Sequence, residues 1–378
     1  MASDAVDTIV LNARRVARAI STPHPHLPHA DDRSEASILR QVTPADGQWR
    51  EIARGVSGST LAHAPEWYTV IRRAYGHDPL YYAAEDETGG RGMLPAFVVR
   101  RPMFGTVVTS MPFLDSGGPC ASSTVLAGRL IECLISHAGR LGARAVEVRS
   151  TGRLPIAVDP AMHKVTLVLD LDRDPDRLWR HLDRDVRSKV RRAERRGLSI
   201  EFGGAENLID FYDVLARRMR DLGSPVHDIA FLRAAAEEFG DRARIVLVRL
   251  GPATVGGLMA LAFKDTLVVP WVSCLKEYFR LYPNMLLYWE TIRFACAEGF
   301  RRFDFGRSTV QSGTYHFKRQ WGAREEPLFW YTIPVRGRGS ACPAVPASVT
   351  EAVTKAWQRL PLRISRGLGP HIRKYLTQ

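Results

Sequence analysis

Long apolar runs, paired cysteines and an acidic balance are all missing from this chain of 378 residues. No stretch approaches 18 uninterrupted apolar residues, so no spanning helix is expected. The opening MASDAVDTIVLNARR lacks an apolar core of signal-peptide length, so export by that route is not expected. Cys120, Cys133, Cys274, Cys296 and Cys342 are scattered, odd in number and never spaced C-x-x-C. That usage predicts reduced thiols in a cytoplasmic protein, neither a disulfide framework nor a zinc site. Acids are in deficit: 40 Asp and Glu face 53 Lys and Arg, a net +13. Such a balance favours phosphate-bearing partners or an anionic membrane face. Arg far outnumbers Lys, and an Arg-rich proteome would account equally well for the total, so the distribution of charge matters more than the sum. What is present is ordinary for a globular protein, 45% hydrophobic, 25% charged and 9% aromatic, which excludes a disordered or fibrous chain. The length suits two domains.

Residues 1–42 show no apolar period and include the proline-broken stretch Ser21–His29, so a mobile leader is expected. His24, His26 and His29 fall there with nothing to fix their geometry, and no metal site is assigned. From Thr43 the pattern tightens. Glu66–Tyr75 is helical, with Trp67, Val70, Ile71 and Ala74 on one stripe. Strand-like runs 79–84, 92–100 and 106–111 precede a helix over 123–141, ended by Gly142, and a strand over 143–149. The second half repeats this plan after a basic helix spanning Asp176–Arg196. Runs 244–250, 254–263 and 267–273 form a meander, followed by a helix over 284–297 begun by a capping Asn284, then Gly299 and a strand over 301–305. Gly142 matches Gly299, and Glu147 and Asp304 fall at the same step of their strands, which points to duplication. The chain therefore reads as two related α+β halves, over 43–163 and 164–335, with a basic tail over 336–378.

Two constellations could carry chemistry. Arg180, Arg184, Arg187, Arg191 and Arg195 advance by three or four residues and form one stripe, opposite the apolar Leu178, Leu182, Val186, Val190 and Ala193. Stacked guanidiniums repel unless an anion lies over them; a solvated face partly neutralised by Asp183, Asp185 and Glu194 is the plain alternative, and a phosphate-docking rail the sharper one. The second constellation is Phe303-Asp-Phe-Gly-Arg-Ser-Thr309 followed by Gly313-Thr-Tyr-His-Phe-Lys-Arg-Gln-Trp-Gly322. It sets Asp304, Arg307 and Ser308 at a strand end and Tyr315, His316, Phe317, Lys318 and Trp321 within two helical turns. Asp304 with Arg307 could equally be a structural ion pair.

These residues resemble a family. Arg187-Ser-Lys-Val-Arg-Arg-Ala-Glu-Arg-Arg-Gly197 looks like the R-x-K-x-R-x-A-x-x-x-G helix of FemAB-like acyltransferases. Phe303–Ser308, Gly313–Lys318 and Trp321-Gly-Ala323 look like their C-terminal signature, and Pro112–Pro119 like a loop of their first half. The resemblance covers residues 43–335. It implies an α+β fold of two tandem GNAT-like (acyl-CoA N-acyltransferase) domains, with mostly antiparallel mixed sheets flanked by helices. Family members move an activated acyl or aminoacyl group onto an amine, and the branch that looks most similar is associated with exopolysaccharide and protein-sorting loci. The resemblance implies acyl-CoA or aminoacyl-tRNA as donor. Aminoacyl-tRNA users often carry a long coiled-coil insertion, whereas nothing here sustains three heptads. Acetyl-CoA users cradle the pyrophosphate with R/Q-x-x-G-x-G/A, and Arg280-Leu-Tyr-Pro-Asn-Met285 keeps the Arg without either glycine.

By the same resemblance Phe317 and Lys318 meet the donor's reacting end, and Arg187 and Lys189 grip an anionic small-molecule or lipid-linked precursor. Arg191, Arg307, Ser308, Tyr315 and Trp321 complete the expected binding set, and Asp304 or His316 is the expected proton acceptor. Apolar residues interleaved with arginines in the tail suit a helix on the inner face of a cell membrane, or one packed across the halves. Two other classes compete: a non-catalytic anion-binding scaffold, and a nucleic-acid binder. Aromatics do not alternate with the arginines as in single-strand binders.

Overall fold

Ser123, Asp183, Asp228 and Ser312 each stand just ahead of a helix and accept a backbone N–H from its first turn, satisfying a donor that has no partner inside the helix. At the other end Gly142 and Gly299, at φ 69° and 79°, take the left-handed turn that lets the chain leave a helix for a strand. The computed structural model describes residues 38–44, 47–102, 104–335 and 347–377. The histidines of the proline-broken stretch and Cys342 lie outside these residues.

In chain order the elements are β1 (Ile38–Gln41), α1 (Gln48–Gly55), α2 (Glu66–Tyr75), β2 (Asp78–Glu85), β3 (Arg91–Arg101), β4 (Gly105–Thr109), β5 (Cys120–Ala121), α3 (Thr124–Arg140), β6 (Ala145–Ser150) and β7 (Ala161–Asp170). There follow α4 (Pro175–His181), α5 (Arg184–Arg195), β8 (Leu198–Gly203), α6 (Leu208–Asp221), α7 (Ile229–Phe239), β9 (Ala243–Leu250), β10 (Ala253–Phe263) and β11 (Thr266–Cys274). The last are α8 (Pro283–Ala297), β12 (Arg302–Thr309), α9 (Gly313–Arg319), β13 (Arg324–Pro334), α10 (Ala347–Gln358) and α11 (Leu362–Arg373).

The chain divides into two compact units. The N-terminal unit comprises the described residues up to Lys164 together with 327–335, 347–350 and 375–377; the C-terminal unit comprises 165–326 and 351–374. In the N-terminal unit the strand order is β1-β2-β3-β4-β6-β13, with β5 beside β3. Its core gathers Leu80, Leu94, Val98 and Val108 of the sheet with Leu126, Leu130, Ile131 and Leu134 of α3. In the C-terminal unit the order is β7-β12-β11-β10-β9-β8, and the core joins Leu258, Leu267, Phe303 and Phe305 to Val186, Val190, Leu287, Tyr288 and Ile292. Each such fully buried side chain contributes ~1.5–3 kcal/mol from the area removed from water.

The duplication holds at the level of strand register. In the N-terminal unit β4 and β6 pair in parallel from Val107 opposite Ala145 to Thr109 opposite Glu147. In the C-terminal unit β11 and β12 pair in parallel from Thr266 opposite Arg302 to Val268 opposite Asp304. The acid closes the third step both times, so each unit is an antiparallel meander, a helix and a parallel return strand, the expected α+β plan.

Four expectations change. The basic helix expected over Asp176–Arg196 is two helices: Leu182 is extended (ψ 149°), and Asp183 starts α5 afresh by accepting from the N–H of Asp185. Arg180 therefore belongs to α4, and the arginine stripe is interrupted after it. Asn284 does not cap α8; Tyr282 holds the position before the helix in the left-handed region, with no side-chain cap bond, and Pro283 stands in the first turn. Ile38–Gln41, expected within the leader, pairs with β2 as an edge strand. The basic tail contributes two helices, and residues 351–374 of it belong to the C-terminal unit.

Candidate functional site

The parallel pairing of β11 and β12 ends at Val268 and Asp304, yet both strands run on, to Cys274 and Thr309. The strands therefore part, and the segments beyond the split carry Trp271, Ser273 and Cys274 on one side and Gly306, Arg307 and Ser308 on the other. Three of the expected site residues fall here. Asp304 is half-buried; its Oδ1 accepts from Thr166 Oγ1 at 2.5 Å and from the Gly306 N–H at 2.8 Å. Ser308 is buried, and its Oγ has no hydrogen-bond partner. Arg307 is half-buried one residue earlier.

Helix α9 follows at once, capped by Ser312, whose Oγ accepts from the Tyr315 N–H at 3.2 Å. Lys318 is only 7% exposed, and its Nζ donates to the carbonyls of Gly306 (2.9 Å) and Arg307 (2.8 Å). The ammonium thus holds the end of β12 to the helix, where a buried carbonyl without a donor would cost ~1–3 kcal/mol. Phe317 and Trp321 pack against Tyr288 of α8 with tilted rings, at centroid distances of 5.5 and 6.3 Å. The Trp321 Nε1 is buried without a partner. Tyr315 donates to Glu325 Oε1 at 2.5 Å; that bond holds the phenol proton and raises its pKa. His316 is exposed on the same helix.

The arginine helix joins the same core from its own side. Val186, Val190 and Ala193 of α5 are buried with α8, and Trp179 of α4 packs tilted against Trp289 at 4.5 Å. Trp289 adjoins Tyr288, so α4 and α9 contact neighbouring faces of α8. Arg187 is half-buried, with its Nε shielded from solvent and unpartnered. Lys189 bridges to Asp185 at 2.5 Å, and Arg191 lies over the Trp179 ring at 5.6 Å. Arg184, Arg192 and Arg195 are exposed. A cavity of about 200 Å³ in this unit is lined by Arg217, Arg220, Asp221, Leu275, Glu277 and Leu362 and includes none of the expected residues.

Sequence reasoning passed over a second group beside the split. His227 is buried, stacks on Phe231 at 4.8 Å and meets the edge of Trp271 at 6.2 Å. Its Nε2 accepts from Arg373 Nε at 3.1 Å. Burial, aided by the positive charges of Arg373 and Arg307, holds its pKa well below the usual histidine value, so the ring is neutral. Burial likewise pushes the Cys274 thiol up to about 12, which leaves it un-ionised. A lone His in the Pro-Val-His-Asp stretch carries no motif to announce it. In the N-terminal unit the loop after β4 is strained, with Met111 and Phe113 at φ 42° and 74°. Buried Arg149 ties it down by donating to the carbonyls of Leu114 (2.7 Å) and Met111 (3.4 Å).

The start of α8 is a poor seat for a CoA pyrophosphate. Pro283 has no N–H, the Met285 N–H is spent on the Tyr282 carbonyl at 3.0 Å, and no glycine lets an anion approach the backbone. Arg196 lies over the Tyr282 ring at 5.7 Å and donates to the Arg280 carbonyl, closing the turn further. Among the described residues no group of three or more His, Cys, Asp or Glu could hold a metal ion, and no helix is long and apolar enough to cross a membrane.

Comparison with known proteins agrees with this architecture. Residues 180–319 match the acetyltransferase (GNAT) domain family, a span that contains both the α5 motif and the β12–α9 motif. The fold is similar to that of FemX (TM-score 0.60, 15% identity, covering 78% of this chain and 97% of that one). It is also similar to L-PGS from Bacillus licheniformis (0.52, 12%, 84% and 98%) and to a tandem GNAT protein from the clavulanic acid biosynthesis pathway (0.51, 10%, 79% and 99%). At these identities the likeness is one of fold. No curated protein matches the chain by sequence.

Proposed function

We propose that this FemAB-like acyltransferase of the GNAT superfamily moves an activated acyl or aminoacyl group onto an amine of a cell-envelope or exopolysaccharide precursor. The observation that carries the reading is the inclusion of the α5 and β12–α9 motifs in one GNAT-type domain, packed against a shared helix α8.

Amide formation by direct attack needs a neutral amine, an oriented carbonyl and a donor for the developing oxyanion, with little covalent work from the protein. His316, exposed on α9, takes the amine proton, directly or through a water; Asp304 is already engaged by Thr166 and the Gly306 N–H. Lys318 holds the Gly306 and Arg307 carbonyls and lends its charge to the split, and Ser308 Oγ, buried without a partner, is the donor assigned to the oxyanion. Phe317, half-buried beside Tyr288, forms the apolar wall for the acyl end, with Tyr315 and Trp321 packed behind it in the core. Arg187, Lys189 and Arg191 of α5, with Arg307 of β12, bind the anionic part of the acceptor, a nucleotide-sugar or lipid-linked precursor. The donor is a CoA thioester or an aminoacyl-tRNA ester: its C–S or C–O bond breaks as the C–N bond forms, and the thiolate or alkoxide departs protonated with the proton taken from the amine. The α8 turn leaves a CoA pyrophosphate to side chains instead of a backbone cradle.

The test is a transfer assay with both donors against amine-bearing precursors, comparing the parent chain with Arg187→Met and His316→Gln. Arg187→Met should raise the acceptor KM with little change in kcat, and His316→Gln should lower kcat by about 100-fold or more. Turnover unaltered in both variants would remove the residue assignments. Absence of turnover with tight retention of an anionic precursor would favour a non-catalytic scaffold.

A further inference from the structure

Helix α11 is oriented against ordinary expectation. Its buried residues are Ser365 and Gly369, while Ile364, Leu368 and Ile372, one helical turn apart on a single stripe, are 46%, 49% and 41% exposed. The small face cannot be exchanged for the large one. A Cβ on Gly369 would meet the Val226 backbone N at 3.1 Å and O at 3.3 Å, so only a residue without a side chain lets the helix lie this close. Two arginines anchor the inner side: Arg366 pairs with Asp213, and Arg373 donates to His227 at 3.1 Å. The basic residues left outward are Arg359, just before the helix, and Arg363 on it, joined by exposed His371. From residue 352 to 378 there is no Asp or Glu.

We propose that α11 is a docking face for an anionic lipid bilayer, with Ile364, Leu368 and Ile372 entering the acyl boundary and Arg359 and Arg363 meeting the headgroups. The occupant is identified by charge: an apolar stripe bordered only by cations on its own segment complements a surface that is apolar within and negative at the rim. A twelve-residue helix spans roughly 18 Å and lies in such an interface without crossing it. The inference stands on this helix and not on the transfer reaction, and it holds whichever precursor is the acceptor.

The experiment is co-sedimentation of the full chain with vesicles of phosphatidylcholine alone and of phosphatidylcholine mixed with phosphatidylglycerol. The parent should partition onto the mixed vesicles and only weakly onto the neutral ones. The variant Ile364→Ser/Leu368→Ser/Ile372→Ser should lose at least about tenfold in partitioning. Because that triple change could disturb the fold, Arg359→Gln/Arg363→Gln serves beside it. It leaves the apolar stripe intact and should weaken binding to the mixed vesicles on the order of tenfold, with neutral vesicles unaffected. Equal binding of parent and arginine variant to mixed vesicles overturns the proposal. So does a parent that ignores both vesicle types, or a dimer in sedimentation equilibrium that the serine variant dissolves, since a second copy would then cover the stripe.

Discussion

Lys318 and Gly306 are joined by a 2.9 Å hydrogen bond from the ammonium to the backbone carbonyl, and the same Nζ donates to Arg307 at 2.8 Å. A lysine that sequence motifs offer as catalytic therefore also fastens a strand to the helix that follows it.

Lys318→Met tests the fastening. The stem still packs, but two carbonyls lose a charged donor, and stability should fall by ~2–4 kcal/mol. Urea unfolding measures this; a loss below about 0.5 kcal/mol would show that water replaces the ammonium without difficulty.

The Thr166–Asp304 contact at 2.5 Å crosses from β7 to β12 within the C-terminal unit. Thr166→Val should cost ~1–3 kcal/mol, since a partly buried carboxylate loses its hydroxyl donor. A double-mutant cycle with Asp304→Asn should give a coupling energy above about 0.5 kcal/mol, and simple additivity would dismiss the pair as incidental.

Asp183 restarts the helix at α5. Asp183→Ala removes the acceptor for the Asp185 N–H and a negative charge at a helix N-terminus, at an expected ~1 kcal/mol. Thermal unfolding followed by far-ultraviolet dichroism reads this. An unchanged midpoint would mean that water or Leu182 reshapes the turn at no cost.

The neutral His227 makes stability depend on pH. Its folded pKa is depressed below the unfolded value of about 6.5, so as pH falls below that value the unfolded chain takes up a proton that the native ring refuses. The contribution is complete above about pH 6.5 and is lost on acidification, by up to ~1.4 kcal/mol per pH unit. Unfolding free energy measured from pH 7 to 5 should show that slope. His227→Gln should flatten it, and an identical slope in the variant would trace the effect to other groups.

The duplication was legible because its marks are local: a helix-ending glycine and an acid on the next strand, visible at Gly142 and Glu147 and again at Gly299 and Asp304. The break before α5 was not. Leu178, Leu182, Val186 and Val190 keep a four-residue period straight through it, and periodicity cannot register that Leu182 turns extended when Asp183 caps the next turn. Strand β13 was hidden by Arg324-Glu-Glu-Pro327 at its start, residues that reject a central strand by propensity although Leu328, Trp330 and Ile333 are buried. The motif-bearing residues Lys318, Phe317 and Arg187 could be picked out because their motifs resemble those of a known family. His227 and Arg373, 146 positions apart, become neighbours only through the tertiary fold.

Residues 351–374 complete the C-terminal unit, supplying Arg366 to Asp213 and Arg373 to His227. During synthesis these partners leave the ribosome more than a hundred residues after Asp213 and His227. Until they emerge, Asp213 and His227 stand without these two partners, so the contacts of α11 are the last of this unit to form during synthesis.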